Sequence, residues 1–481
     1  MTLEAREAVT PDEITAPGHP REWVVLERHG YRFPPGLKLN LPLYLSRRFF
    51  RVGNPILLFE HLIATYGDMA HYRIGPSNIV LVNEPEFVRE ILINQPQNFI
   101  KERTQKRMRI LLGDGLITSD GEMHRRQRRI AAPAFHRQRI QAYGSLMAER
   151  AAAMRDQWKP GEELNIAAEM MRLSLQIVAR TLLAQEVTPD VERINHEVNA
   201  IMKLYNLLIA LPSAEDYLHW PIPGLMRFQR ARKRLDAVVH RMIAEHRASG
   251  VDKGDLLSML MRSRDADGDH SGMTDEQLRD EVMTIFLAGY ETVANALTWT
   301  WMLLGQNPEA EAKLHAELDA VLAGRLPTLE DIPQLRYTEM VLAESMRLYP
   351  PAWAMGRQAT VDVEIGPYRL PAGTYFFFSQ YLIQRDPAHF PDPLRFEPER
   401  FTPEQKARRS KFVYFPFGAG GRQCIGESFA WMEAILVLAT LAQRWRLRLV
   451  AEQPFEMQPK ITLRPRHGVR VVAEPRPNHV S

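Results

Sequence analysis

The chain has 481 residues, 45% of them hydrophobic and 25% charged, with a formal net charge of +3 and a single cysteine. This balance is ordinary for a folded protein with an ample core and speaks against disorder, and the small charge gives no argument for a nucleic-acid partner. One cysteine excludes an internal disulfide, a four-cysteine zinc site and a self-contained iron-sulfur centre.

Residues 1–21 mix acids, prolines and polar side chains without the basic-then-apolar profile of a signal peptide. The nearest apolar run, 41–50, is short and broken by Ser46, Arg47 and Arg48, so no transmembrane segment and a soluble cytoplasmic protein are expected. A hairpin is expected from 71–74 and 79–82 around Gly75-Pro76-Ser77-Asn78, followed by mostly helical periodicity up to Pro350. Within that helical part, arginines cluster over 125–129, and His124 and Arg128 stand four apart, on one helix face. The stretch 262–273 contains Asp265-Ala266-Asp267-Gly268-Asp269 but lacks the sixth-position glycine and closing glutamate of a calcium loop, and reads as a solvated linker.

Thr274-Asp275-Glu276-Gln277 has the form of a capping box opening a long helix, with Pro308 beyond its expected end. Its middle reads Ala288-Gly289-Tyr290-Glu291-Thr292. The two small residues let the helix approach a flat ligand, and the Thr292 hydroxyl can bond the Ala288 carbonyl four residues back. Glu344-x-x-Arg347 puts a carboxylate and a guanidinium one turn apart ahead of Pro350-Pro351. Strand signals return at 361–365, 368–370 and 374–379, separated by Gly366-Pro367 and Pro371-Ala372-Gly373, and are expected to form one small antiparallel sheet. Pro398-Glu399-Arg400-Phe401 and a basic stretch over 406–411 follow. Phe417-x-x-Gly420-x-Arg422-x-Cys424-x-Gly426 then precedes an apolar, helix-prone run over 427–443. The start of that helix is expected to favour a thiolate at Cys424, because a helix N-terminus carries about half a positive charge.

This last pattern is the haem-thiolate signature, and from it the chain strongly resembles the cytochrome P-450 monooxygenases over roughly residues 50–470. The resemblance implies one haem-centred domain in 1–481, with 1–50 as a lead-in. It also implies a mainly α fold with small antiparallel β-sheets, haem lying between the oxygen-groove helix and the cysteine-loop helix. Cys424 would ligate the iron of haem b, with Phe417 and Gly426 framing it. Ala288, Gly289, Glu291 and Thr292 match the oxygen groove, in which the threonine steadies dioxygen and the acid helps deliver protons. His124, Arg128, Arg357 and Arg422 match positions that bind the haem propionates. Glu344, Arg347 and Arg400 match a buried structural triad.

The implied reaction inserts one oxygen atom of dioxygen into an apolar small molecule. Substrate contacts are expected from 103–116, the helices around 201–211, the groove helix, 352–355 and the turn near Ile461. No flavin or iron-sulfur module is legible and only about 55 residues follow the signature. Electrons are therefore expected from an external ferredoxin or flavodoxin with its reductase, docked on a face carrying Arg125, Arg126, Arg129, Arg408, Arg409 and Lys411. A peroxygenase or rearranging haem-thiolate enzyme would need no oxygen groove, and a non-catalytic haem sensor would need no substrate pocket.

Overall fold

Gly75 takes φ +57° and Pro76 removes a donor, so the chain turns there and β3 (Met69–Ile74) pairs antiparallel with β4 (Ser77–Val82), Ile74 facing Ser77. This is the expected hairpin. The computed structural model describes residues 25–37, 54–136, 140–183, 223–265, 268 and 270–476. The hairpin belongs to a five-stranded sheet of order β3-β4-β10-β7-β5, completed by β5 (Phe99–Lys101), β7 (Met355–Ala359) and β10 (Tyr375–Phe378). A second sheet has the order β1-β2-β9-β8, from β1 (Leu26–Arg28), β2 (Tyr31–Phe33), β8 (Val363–Ile365) and β9 (Tyr368–Leu370). The smaller ones are β11-β14-β6 and the hairpin β12-β13, with β6 (Glu163–Asn165), β11 (Trp445–Leu449), β12 (Met457–Pro459), β13 (Leu463–Pro465) and β14 (Arg470–Pro475).

The three strands expected to form one sheet are divided between two. β8 and β9 pair as expected, but β10 runs parallel to β4 and antiparallel to β7. On one edge the Ala359 amide donates to the Thr374 carbonyl and the Gly373 amide to the Ala359 carbonyl, both at 2.9 Å, which ties β10 to β7; on the other, Tyr375–Phe378 lie opposite Ile79–Val82 of β4. Phe376 and Phe378 are then fully buried, which a surface meander would not achieve.

Helices form the rest: α1 (Gly121–Ala131), α2 (Ile166–Leu183), α3 (Pro223–Ser249), α4 (Leu256–Arg262), α5 (Asp275–Gln306), α6 (Arg336–Leu348) and α7 (Glu427–Ala442) are those that position the site. At the start of α5 the Gln277 amide donates to Thr274 Oγ1 at 3.2 Å, and the Thr274 amide to Gln277 Oε1 at 3.0 Å, the reciprocal cap expected. Its middle is buried nearly all round, as a helix packed on every side must be, and it lies against α2, α3, α6 and α7. Gly289 sets the approach of α2: a Cβ there would stand 3.1 Å from Val178. Among the described residues no helix is long and apolar enough to cross a membrane.

Glu344 and Arg347 lie together with both side chains fully buried. The Arg347 guanidinium donates to both Glu344 oxygens, at 2.6 and 2.8 Å, and to the carbonyls of Gln384, Pro393 and Arg395. Arg400 stands 3.5 Å from Glu344 but closer, 2.9 Å, to Glu397. The stretch expected to be a solvated linker is not one at Asp265, which is buried and accepts from Arg129 Nε and Nη2 at 2.9 Å, with Arg126 3.7 Å away.

Candidate active site

The cysteine loop follows a path that glycine permits. Gly420 has φ +69°, and a Cβ there would lie 2.5 Å from the Leu92 carbonyl oxygen. The loop closes on itself where the Cys424 amide donates to the Phe417 carbonyl at 2.9 Å. Gly426 is the N-cap of α7, and its amide donates to the Cys424 sulfur.

Cys424 faces a cavity of about 350 Å³. The surface this residue exposes is surface to that cavity, and the sulfur itself lies deep in the protein. The expected fall in its pKa is not found. Burial pushes the thiol up, and the Gly426 amide opposes that without overcoming it.

Across the cavity, α5 contributes Ala288, Gly289 and Thr292. The Thr292 hydroxyl donates to the Ala288 carbonyl at 2.7 Å, the back-bond that the sequence pattern predicts. Glu291 does not line the cavity. One residue along a helix is about 100° around it, and the Glu291 carboxylate instead accepts from the Thr462 hydroxyl at 2.6 Å, with Arg464 3.9 Å away. The acid and the alcohol that the resemblance pairs thus stand on different faces of α5.

A wall of bases closes one side. The β5–β7 register places Lys101 directly opposite Arg357, a like-charge cross-strand pair that costs stability unless something neutralises it. His124 and Arg128 of α1 and Arg422 of the cysteine loop line the same cavity. Asp120 binds Arg422 at 2.6 Å, but Lys101 donates to the Leu116 and Ser119 carbonyls, Arg357 to that of Gly356, and Arg128 to that of Gln423. Burial, reinforced by Arg422, pushes Lys101 down to about 6, His124 to about 3 and Arg357 to about 10.

Lys101 is the site residue that sequence reasoning missed. The only local signal is a lysine ending the apolar run 99–101, and without the register it reads as an edge-strand charge. Of the expected substrate segments, Gln105, Leu116, Ala352 and Met355 line the cavity and Ile461 does not; 201–211 lie outside the described residues.

The cytochrome P450 family model matches residues 34–471. The chain belongs to the cytochrome P450 family. It is 39% identical to cyclooctat-9-en-7-ol 5-monooxygenase of Streptomyces melanosporofaciens over 93% of this chain and 95% of that one. Cyclooctatin synthase of the same organism is also 39% identical, over 87% and 91%. Pentalenene oxygenase of Streptomyces avermitilis is 35% identical over 81% and 86%. Among solved structures, the cytochrome P450DA heme domain aligns with a TM-score of 0.83 at 25% identity, covering 93% of this chain and 99% of that one. Retinoic acid bound cyanobacterial CYP120A1 aligns with a TM-score of 0.79 at 25% identity, over 92% and 99%.

The mainly helical class with small sheets is therefore the P450 fold, and the protein is a P450 monooxygenase that uses haem, dioxygen, an apolar organic substrate and a redox partner. The residues present fit the haem. A sulfur faces the cavity from one side, Ala288, Gly289 and Thr292 line it opposite, and the excess of bases over acids on the flank suits the two carboxylates of the porphyrin.

Proposed function

We propose that this P450 hydroxylates a cyclic terpene hydrocarbon or terpene alcohol. The observation that carries the substrate class is the cavity lining: Leu116, Ile117, Ile285, Val293, Leu342 and Met346 offer shape rather than charge, as a hydrocarbon skeleton requires. Relatives named for cyclooctat-9-en-7-ol and pentalenene oxidation support it.

In this reading Cys424 ligates the iron of haem b, framed by Phe417 and Gly426, and Lys101, His124, Arg128, Arg357 and Arg422 hold the propionates. Haem, when bound, supplies the reduction of dioxygen and the transfer of one of its oxygen atoms. The chain supplies the rest. Ala288 and Gly289 leave room beside α5, the Thr292 hydroxyl turns from the Ala288 carbonyl to the cavity, and Glu291 provides protons to that hydroxyl. Glu344, Arg347 and Arg400 hold the chain that leads to the cysteine loop. The whole acts as one haem-centred domain in the cytoplasm.

The electron donor is an acidic ferredoxin or flavodoxin that meets the side where Gln423 is exposed. Its footing on this chain is smaller than the sequence suggests. Arg126 and Arg129 converge on Asp265, Arg125 pairs with Glu122, and Arg409 lies over the Phe390 and Phe401 rings, while Arg125, Arg129, Arg408 and Lys411 keep exposed side chains.

Two titrations test the reading. The reduced carbon-monoxide complex shows the red-shifted Soret band of thiolate ligation in the parent and loses it in Cys424→Ala. Cyclic sesquiterpene and diterpene hydrocarbons and alcohols shift the ferric spin state at micromolar concentration, while long-chain fatty acids do not. A fatty-acid response without a terpene response overturns the substrate class.

A further inference from the structure

Three successive turns of α5 grip the β12–β13 hairpin. Glu291 accepts from the Thr462 hydroxyl at 2.6 Å, Asn295 Nδ2 donates to the same hydroxyl oxygen at 3.1 Å, and Trp299 Nε1 donates to the Leu463 carbonyl at 3.0 Å. All four of these side chains are buried. The Asn295 amide fixes the direction of the Thr462 hydroxyl: with that oxygen accepting from the amide, its one proton points at Glu291. Arg464, partly exposed at the edge of the hairpin and 3.9 Å from the carboxylate, lies between this cradle and solvent.

A carboxylate held by a hydroxyl donor is held most firmly while it is an anion, because charge-assisted hydrogen bonds are roughly twice as strong as neutral ones. Protonating Glu291 weakens it as an acceptor and loosens the bond to Thr462. Loading the acid therefore also releases it.

We propose that Thr462 is a positioning residue for proton delivery, holding the Glu291 anion against the hairpin until protonation frees it to turn toward Thr292. This rests on the reading of Glu291 as the proton source. Glu291 takes one proton from water on the hairpin side, leaving hydroxide to the bulk buffer. The neutral carboxyl leaves the cradle, gives that proton to the Thr292 hydroxyl oxygen as the hydroxyl releases its own proton into the cavity, and returns as the anion to Thr462.

A double-mutant cycle on the haem-loaded enzyme tests this, with product formed per reduced cofactor consumed as the measure and a terpene that shifts the spin state as substrate. Glu291→Gln lowers that yield about tenfold or more, as removal of a proton-transfer group does. Thr462→Val, which keeps the shape and removes the donor, lowers it about threefold, the scale of one buried hydrogen bond. The double variant is no worse than Glu291→Gln alone, and Thr462→Ser restores the parent yield. In crystals of Thr462→Val the Glu291 carboxylate leaves the hairpin.

A further drop in the double variant means that Thr462 serves only the fold of the hairpin, and overturns the proposal. So does a parent-like Thr462→Val beside an impaired Glu291→Gln, which leaves the role of Glu291 standing. A parent-like Glu291→Gln overturns the proton-source reading itself, and the proposal with it.

Discussion

Two buried charge clusters in this fold are built on opposite terms. Around Glu344, every donor of Arg347 meets an acceptor, and Glu344 itself takes a further hydrogen bond from the Glu397 amide at 2.9 Å. Along the cavity, Lys101 and Arg357 face each other across two strands and find only main-chain carbonyls. Burial pushes the Glu344 carboxyl up and Arg347 pulls it back, whereas Lys101, His124 and Arg357 are pushed down by burial and then further down by neighbouring cations. A cluster whose central ion pair is satisfied within the chain stabilises the chain. A cluster short of anions is completed by a ligand that brings them.

The comparison breaks most visibly at Arg347. Arg347→Ala strands the fully buried Glu344 carboxylate, and loss of one partner of such a pair costs about 3–5 kcal/mol. The thermal midpoint should fall steeply whether or not haem is bound. Arg400→Ala should cost less, since Arg400 is 10% exposed and divides its contacts between Glu344 and Glu397. Equal melting of Arg347→Ala and the parent would remove the cluster from the account of stability.

The opposite wall should respond in the opposite sense. Arg357→Gln removes a buried cation that lies under the repulsion of Arg422, so the apoprotein should be as stable as the parent or slightly more so, while haem leaves the holoprotein about tenfold faster, the equivalent of one charge-assisted bond. Haem transfer to apomyoglobin measures the second effect and chemical denaturation of the apoprotein the first. An apoprotein weakened as much as by Arg347→Ala would show that the two clusters are of one kind.

What could be read from the sequence divides along the same line. The Cys424 loop, the Thr292 back-bond, the cap at Thr274 and the Glu344–Arg347 pair are short-range patterns, set by turn geometry or by one helical turn, and each is present. Lys101 became a site residue only through its register with Arg357, a partner more than two hundred positions away, and β10 changed sheets through an equally distant partner, β4. Glu291 was placed correctly on its helix, but its direction depends on Thr462, which no local pattern reveals. The upward push on the Cys424 thiol has a different source: the helix end is visible in the sequence and the depth of burial is not.

The smallest expected effect is also the most specific to the base-rich wall. His124 is pushed down to about 3 from 6.5, by burial first and then by Arg422 and Lys101. The native apoprotein therefore keeps this ring neutral where the unfolded chain protonates it, so the stability it contributes is complete above pH 6.5 and is lost as the pH falls toward 3. Lys101, at about 6 against an ordinary 10.5, has the same sign in a different window, gaining stability from pH 6 to 10.5, and so contributes little below 6. Glu281 and Glu433, both pushed up to about 8 by burial, act oppositely between pH 4.5 and 8. For that reason the parent is compared with His124→Gln rather than with itself. Between pH 6 and 4.5 the denaturation midpoint of the parent apoprotein should fall more than that of the variant, by up to about 1.4 kcal/mol per pH unit. Haem propionates beside the ring should reduce this difference in the holoprotein, because a nearby anion favours the protonated form. Parallel curves for parent and variant in the apoprotein would mean that His124 does not feel the cations around it.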